Sequence, residues 1–361
     1  MYSATITDLL RLLVVPVFGW AAIRDIKTRR VPNETWLPLA ALGIGLLCWD
    51  AAAVWTDTAW RLTVDGLNVG IEADPIYDQT VETFLIRTGF SVGFLVPFAY
   101  AFWWFGGFGG ADAKALMTLA VLFPIYPVYY LPGFTLPWFI APAGVFSLTI
   151  LANTVLGGAL YPLALGGRNL LRRAVSRMMI VGRPLPVEQA PRRYGRLLER
   201  PDEYTRKGLD LDVLRMYLSW RGLDFEELQA DPKRYRDPAT LPDEPNDPGD
   251  GTIEEGGGSL ALTDGGEPET VDSEKSQDSL DGSRDSLDDP WGAEAFFEDI
   301  GGPIYGTDAE ELQAGLTVLT ERDQVWYSPG IPFIVPMFVG LVLSLTAGDI
   351  LVRGMLWLGL G

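Results

Sequence analysis

Apolar residues in this chain are gathered into long runs rather than into the alternating patterns of half-buried strands. A run of about 20 apolar residues is long enough to cross a hydrocarbon core as a helix. Windows of that length predict six transmembrane helices, at roughly 4–23, 36–55, 82–105, 113–131, 136–165 and 331–351. The pattern therefore predicts an all-α polytopic membrane protein built as a six-transmembrane-helix bundle.

The segment between the fifth and sixth predicted helices changes character along its length. Its first part is rich in arginine and is expected to lie along anionic lipid, and leucines at near-helical spacing follow at 209–229. From Pro242 to Pro290 there are sixteen Asp/Glu and only two cations, a composition typical of disorder. Five parts result: 1–165 with helices one to five; 166–241, a basic juxtamembrane arm with short cytoplasmic helices; 242–290, an acidic disordered linker; 291–330, a re-ordered cytoplasmic segment; and 331–361 with helix six.

Charge sets the expected orientation in the cell membrane. Cations in the 24–35 loop and after the fifth predicted helix mark both as cytoplasmic, because loops rich in Lys/Arg stay inside. With six spans, both termini then lie outside. The formal charge of −19, with few lysines among the cations, is typical of a protein from a high-salt organism, where short screening lengths tolerate dense negative charge.

Two absences limit the chemistry. The chain has no histidine, so serine–histidine and cysteine–histidine catalysis and histidine metal sites are excluded. Cys48 is the only cysteine, which excludes an intramolecular disulfide and a four-cysteine zinc site. We therefore expect no metal and no cofactor, and no feature points to nucleic acid.

Two acids occupy unusual positions at predicted helix ends. In "AAIRDIKTRRVPN", Asp25 closes the first predicted helix, and in "FGGFGGADAKAL", Asp112 opens the fourth. The predicted topology brings both to the cytoplasmic face. Either one alone would usually be an interfacial anchor. The residues that suggest more are the glycines before Asp112, which allow close backbone approach, and a lysine two positions after each acid: Gly106, Gly107, Gly109, Gly110, Lys27 and Lys114.

Two carboxylates that face each other in a poorly hydrated cavity cannot both ionise easily, so the pair shares a proton. The ionised member can take a proton from water while the protonated member donates to a carbonyl oxygen. This is sufficient for peptide hydrolysis. Which acid is the base stays open, because coupled groups titrate as a pair.

These residues also carry a family resemblance. "RDIKTRRVPN" resembles the first catalytic-aspartate motif of type IV prepilin peptidases, "GGFGGADAKAL" resembles their GxGD motif, and "YSPGIPFIVPMFVGLVLSL" resembles the last helix of archaeal members, which process prepilins and preflagellins (prearchaellins). The resemblance covers 1–165 and 327–351. It implies an aspartic endopeptidase whose partners are prepilin and prearchaellin precursors and membrane lipid, with Asp25 and Asp112 catalytic.

The resemblance has departures. Ala111 stands where GxGD has its second glycine, and the cysteine-rich and methylating segments of bacterial relatives are missing, so cleavage without N-methylation is expected. Pro32 and Asn33 follow the first motif and are candidates for orienting Asp25 or the substrate. Pro329 and Pro332 begin the last predicted helix, either as a loosened entry for substrate or as ordinary helix initiation.

Other interpretations remain open at the level of sequence. Asp349 is a third acid in an apolar run, about 27 Å along the helix from Ile331, and is expected to pair with Arg353 four residues later. A transporter or channel could use Asp25 and Asp112 to bind a cation or relay protons, and a non-catalytic membrane assembly platform is a further alternative. Oligomeric state is not determined.

Overall fold

The computed structural model describes residues 2–29, 31–65, 68–74, 80–105, 107–253, 289–330 and 333–360. The chain divides into two compact units, unit 1 (Met1–Tyr161 and Pro332–Gly361) and unit 2 (Pro162–Ile331). The helices are α1 Ile6–Arg11, α2 Val14–Thr28, α3 Trp36–Thr56, α4 Val81–Phe90, α5 Val96–Trp104, α6 Gly110–Leu122, α7 Phe146–Leu171, α8 Leu211–Arg221, α9 Phe225–Ala230, α10 Pro232–Tyr235, α11 Ala293–Asp299, α12 Ala309–Glu321, α13 Ile334–Thr346 and α14 Ile350–Trp357. The strands are β1 Tyr2–Thr5, β2 Ala59–Asp65, β3 Asn68–Asp74, β4 Tyr129–Leu131, β5 Phe134–Leu136, β6 Arg183–Pro186, β7 Arg196–Leu197 and β8 Gln324–Ser328.

The helices that are long and apolar enough to cross a membrane lie in unit 1, except that α7 continues from unit 1 into unit 2. Within the described ranges these are Ile6–Thr28, Asn33–Thr56, Val81–Trp104 and Phe146–Leu171, and the bent pair α13–α14 makes a fifth if it counts as one span. The predicted count of six is therefore not confirmed. The difference lies in the predicted span 113–131, where α6 ends at Leu122, close to Pro124 and Pro127, which disfavour a continued helix.

Helix α6 lies inside the bundle. Seven of its thirteen residues are buried, and it packs against α3, α5 and α13. Gly43 of α3 lies where α6 crosses it, since a Cβ there would come within 3.1–3.3 Å of Leu122 and Val121. The small side chains of Ala113 and Ala115, both buried, belong to the same closely packed helix.

Antiparallel sheets make the all-α prediction incomplete. In unit 1 the strand order is β3-β2-β1-β4-β5, with Ser3 of the central strand paired to Thr63 on one side and Tyr130 on the other. Strand β1 leads into α1, β2 follows α3 and β4 follows α6, so the sheet lies at one end of these helices. Asp25 and Asp112 lie at the opposite helix ends, at the end of α2 and the start of α6.

A buried ion cluster connects three helices at the sheet end of unit 1. Arg11, 1% exposed, donates through Nη1 to Asp8 at 2.9 Å and through Nη2 to Asp50 of α3. Its Nε donates to the carbonyl oxygen of Leu122 at 2.6 Å. That carbonyl belongs to the last residue of α6, where helix carbonyls have no partner within the helix. Arg11 therefore caps α6, and its own charge is compensated by two carboxylates.

The last predicted span is broken rather than continuous. Helices α13 and α14 meet at an angle of 62°, around Gly348 at φ +83°, where a Cβ would overlap the Phe139 carbonyl oxygen at 1.8 Å. The expected Asp349–Arg353 ion pair is wrong, because the Asp349 carboxylate instead accepts the Val352 N–H at 2.8 Å and the Thr149 hydroxyl at 2.9 Å. Asp349 thus begins α14 as its N-cap.

Unit 2 has a core of its own, formed around α8, α11 and α12 and the sheet β6-β8-β7. Arg221 at the end of α8 is 4% exposed and binds the carbonyl oxygens of Tyr235 and Trp291 at 2.7 and 3.0 Å. Since Tyr217 Oη also donates to the Trp291 carbonyl at 2.6 Å, the chain that resumes at residue 289 is fixed to α8.

Part of the predicted acidic linker packs against the same helix. Arg215 donates to the Gly251 carbonyl at 2.5 Å, and Asn246 N–H donates to the Trp220 carbonyl at 2.9 Å. The described chain therefore continues to residue 253, whereas residues 254–288 lie outside the described residues. Gly251 and Trp291 contact positions on α8 that are less than ten residues apart, about 14 Å at most along the helix axis.

Replacing residues 254–288 by twelve Gly/Ser residues should leave unit 2 folded. Both flanks are fixed to α8, and a twelve-residue flexible chain has a root-mean-square span of about 20 Å. A shorter loop also lowers the entropy cost of closure by about 0.6 kcal/mol for each halving of its length. Thermal unfolding of the purified full chain, followed by tryptophan fluorescence, should show an unchanged or higher midpoint. A clearly lower midpoint would show that the replaced segment contributes to the fold.

Candidate active site

Asp25 lies in the last turn of α2 and is 7% exposed. Helix α2 ends at Arg29, whose left-handed backbone (φ 58°) places its N–H on the Asp25 carbonyl at 3.1 Å. The backbone N–H of Ile334, the first residue of α13, lies near the Asp25 carboxylate and acts on it electrostatically. Carboxylate oxygen Oδ2 of Asp25 is buried and has no hydrogen-bond partner within the described chain. A buried acceptor of this kind is costly unless a water or a substrate meets it.

Asp112 lies in the first turn of α6 and is half-buried. Gly109 is the N-cap of this helix, with extended backbone (φ −65°, ψ 154°), and its backbone lies close to the Asp112 carboxylate three residues later and acts on it electrostatically. This is the placement of the third helical residue in a capping box, where its side chain reaches back to the cap. A Cβ on Gly109 would lie 3.0 Å from Asp112 Oδ2, so a glycine is needed for this approach.

The structure brings Asp25 and Asp112 together at one end of unit 1. The two carboxylates are within electrostatic reach of each other. Each lies near the backbone N–H at the N-terminus of a helix, Asp25 near that of α13 and Asp112 near that of α6. Helix N-termini carry partial positive charge, so two negative groups can be held near each other in an apolar bundle.

Arg29 is also part of this site, although the sequence suggested for it only a role in setting the orientation in the membrane. Its guanidinium acts electrostatically on both carboxylates. The sequence contained the relevant spacing, because Arg29 is only four residues after Asp25, at the end of the same helix. It was missed because four cations in a loop at a membrane boundary are already explained by orientation.

The remaining predicted site residues divide into those near the acids and those turned away. Lys114 donates to Asn33 Oδ1 at 2.9 Å, which ties the start of α6 to the segment before α3. Pro32 precedes that segment as the N-cap of a short 3-10 turn. Lys27 is exposed, in contrast to Asp25, and has no evident role in the pair.

The glycine-rich segment is held by aromatic residues that the sequence did not single out. Gly107 N–H donates to the Phe102 carbonyl at 2.7 Å, and the Phe108 ring contacts Phe102 and Phe333 with centroids 5.1 and 5.2 Å apart. Gly110 is the first residue of α6, and Ala111 follows it, partly buried against the core. Pro329 belongs to unit 2, and Gly106 and Pro332 lie outside the described residues.

Comparison with known proteins adds one finding. Residues 12–163 match the type IV leader peptidase family. The matched range includes both acids and the glycine-rich segment, and it covers less than half of the 361 residues. This match supports a prepilin-type peptidase embedded in a membrane. No curated protein and no solved structure matches the chain.

Replacing Gly109 by alanine should lower activity with little effect on stability. The new methyl group pushes the Asp112 carboxylate by a few tenths of an ångström, and small displacements of catalytic groups are costly in rate. We expect about a tenfold lower rate of leader cleavage. Gly45→Ala is the matched control, since nothing lies within 4 Å of its added Cβ. Equal rates for the two variants would contradict the close approach at Gly109.

Arg29→Gln should lower leader cleavage by about tenfold, because it removes a cation that acts on both carboxylates, and Arg29→Lys should retain most of the rate. Arg24→Gln and Lys27→Gln are matched controls, with the same loss of charge near the same end of α2; Arg24 lies over the Trp20 ring and Lys27 is exposed. The measurement is the initial rate at equal amounts of membrane-inserted protein. Equal losses in all three Gln variants would mean that only loop charge matters.

Proposed function

We propose that this protein is a membrane aspartic endopeptidase that removes the short basic leader of type IV pilin-like and archaellin precursors. Cleavage takes place at the cytoplasmic face and is not followed by N-methylation. The observation that carries the proposal is the meeting of Asp25 and Asp112 at one end of an apolar bundle, inside the range that matches the type IV leader peptidase family.

The geometry supports acid–base hydrolysis by a carboxyl pair. Asp25 lies near the Ile334 N–H and has one oxygen buried without a partner within the described chain, whereas Asp112 is half-buried and lies close to Gly109. The two acids are therefore held in different surroundings. This is the condition under which one carboxyl carries a proton while the other is ionised.

The reaction then follows from this protonation state. The ionised carboxylate takes a proton from water, and the water oxygen attacks the carbon of the scissile peptide bond. The protonated carboxyl donates its proton to the carbonyl oxygen, which gives a tetrahedral diol. When the carbon–nitrogen bond breaks, the carboxyl that took the water proton gives it to the departing amine. A diol hydroxyl returns its proton to the other carboxylate as the new carboxyl group forms, and the pair returns to its starting state. The roles of base and acid are left unassigned between Asp25 and Asp112.

Substrate class rests on the family match together with the position of the site. The acids lie at helix ends, where a leader in water and the hydrophobic helix that follows it in the membrane would both be within reach. A transporter would place its ion-binding acids near the middle of the membrane. The position of Asp25 in the last turn of α2 and of Asp112 in the first turn of α6 therefore favours the peptidase.

The test is co-expression with a prepilin-like precursor, followed by mass measurement of its N-terminus. Asp25→Asn and Asp112→Asn should each slow cleavage by roughly 100- to 10,000-fold, the range that general acid–base groups contribute.

Asp57→Asn serves as the matched control. It makes the same chemical change at a helix end, and asparagine tolerates the left-handed backbone found there. Leader removal at the wild-type rate by either active-site variant would refute the two-acid mechanism. Loss of activity in the control as well would point to damage of the fold.

A further inference from the structure

The end of α7 combines exposed apolar side chains with arginines. Helix α7 has 26 residues, about 39 Å at 1.5 Å per residue, and so exceeds the roughly 30 Å of a hydrocarbon core. The excess of about 9 Å corresponds to roughly six residues, about the length of the helix from Gly166 to its end. From residue 162 to 187 the sequence contains five arginines and no acidic residue, although the whole chain carries a formal charge of −19.

The chain does not leave α7 in an extended form but turns back on it. Asn169, 2% exposed, donates to the carbonyl oxygens of Met179 and Gly182, both at 2.7 Å. A Cβ on Gly166 would lie 3.0 Å from Ile180, so this segment packs against the last turns of the helix. Residues 168–183 thus form a compact structure, here called the α7 turn.

Within the described residues, four apolar side chains of the α7 turn are exposed. Their exposed fractions are 59% for Leu170, 87% for Leu171, 68% for Val175 and 49% for Ile180. The four arginines among them are also exposed: Arg168, Arg172, Arg173 and Arg177. Within the described part of the chain, these guanidinium groups take part in no ion pair.

We propose that the α7 turn lies in the headgroup layer of the membrane and binds anionic phospholipid. Leucine, valine and isoleucine side chains enter the boundary with the acyl chains, as in interfacial amphipathic segments, and the guanidinium groups bind lipid phosphates in bidentate fashion. Two observations identify a bilayer as the partner. The turn is covalently continuous with a candidate membrane span, and its charge is opposite to that of the inner leaflet.

The proposal can be tested on the full chain in nanodiscs. A cysteine introduced as Val175→Cys in a Cys48→Ser background carries an environment-sensitive fluorophore, and brominated phospholipid serves as the quencher. We expect strong quenching in discs that contain phosphatidylglycerol. A second label at Tyr204→Cys, an exposed position elsewhere in unit 2, reports quenching that does not depend on the α7 turn. Absence of quenching at 175, or equal quenching at 175 and 204, would overturn the proposal.

The lipid charge dependence is tested by R168Q/R172Q/R177Q, which leaves Arg173 with its left-handed backbone intact. Each arginine near an anionic surface contributes about fivefold, so association with phosphatidylglycerol at this site should fall by about 100-fold.

The control triple is R206Q/K207Q/K233Q, with the same change in charge at exposed positions of unit 2. It should match the wild type. Equal behaviour of the two triples, or equal quenching of the wild type in neutral and anionic discs, would contradict anionic lipid binding. The label at position 175 measures the depth of the α7 turn in the bilayer without either triple substitution. The test therefore remains valid even if one of the triple variants fails to fold.

Discussion

The candidate site depends on two helix N-termini that meet at one end of an apolar bundle. Asp25 closes its own helix, where the backbone dipole disfavours a negative charge, and it is compensated by the first N–H of α13. Asp112 lies close to the cap residue of its own helix, Gly109, whose backbone acts on it electrostatically. Without these helix N-termini, two neighbouring carboxylates in such surroundings would not be tolerated.

Helix α6 connects the acid site with the rest of unit 1. At one end it carries Asp112 on a glycine cap, and at the other its last carbonyl is bonded by Arg11. Because Arg11 also binds Asp8 and Asp50, the position of α6 is set by α1 and α3. Removal of a single member would leave a buried charge without a partner, a change that commonly costs about 3–5 kcal/mol. The sheet end and the acid end of the bundle are therefore coupled by one short helix.

The two acids could be predicted from the sequence, whereas several of the residues that fix the position of their helices could not. Asp25 and Asp112 stand out because each acid at the end of an apolar run is followed two positions later by a lysine, and because four glycines precede Asp112. Arg11 with Asp8 and Asp50 did not stand out, because the two carboxylates are distant in sequence and a lone arginine near a helix start has an ordinary explanation as an interfacial group. Strands such as β1, only four residues long, are too short for an alternating pattern to identify them.

The position of Ile334 has a consequence for the timing of biosynthesis. This residue supplies the backbone N–H near Asp25, yet it follows the whole of unit 2 in the chain. At the usual rate of about 5–20 residues per second, the ribosome adds the residues between Asp112 and Ile334 in roughly 11–44 s. During that interval the nascent protein already contains Asp25 and Asp112 but lacks the N–H that acts on Asp25. Completed synthesis of the last helix is thus a built-in condition for a complete site, and a chain truncated within unit 2 would contain both acids in an unfinished arrangement.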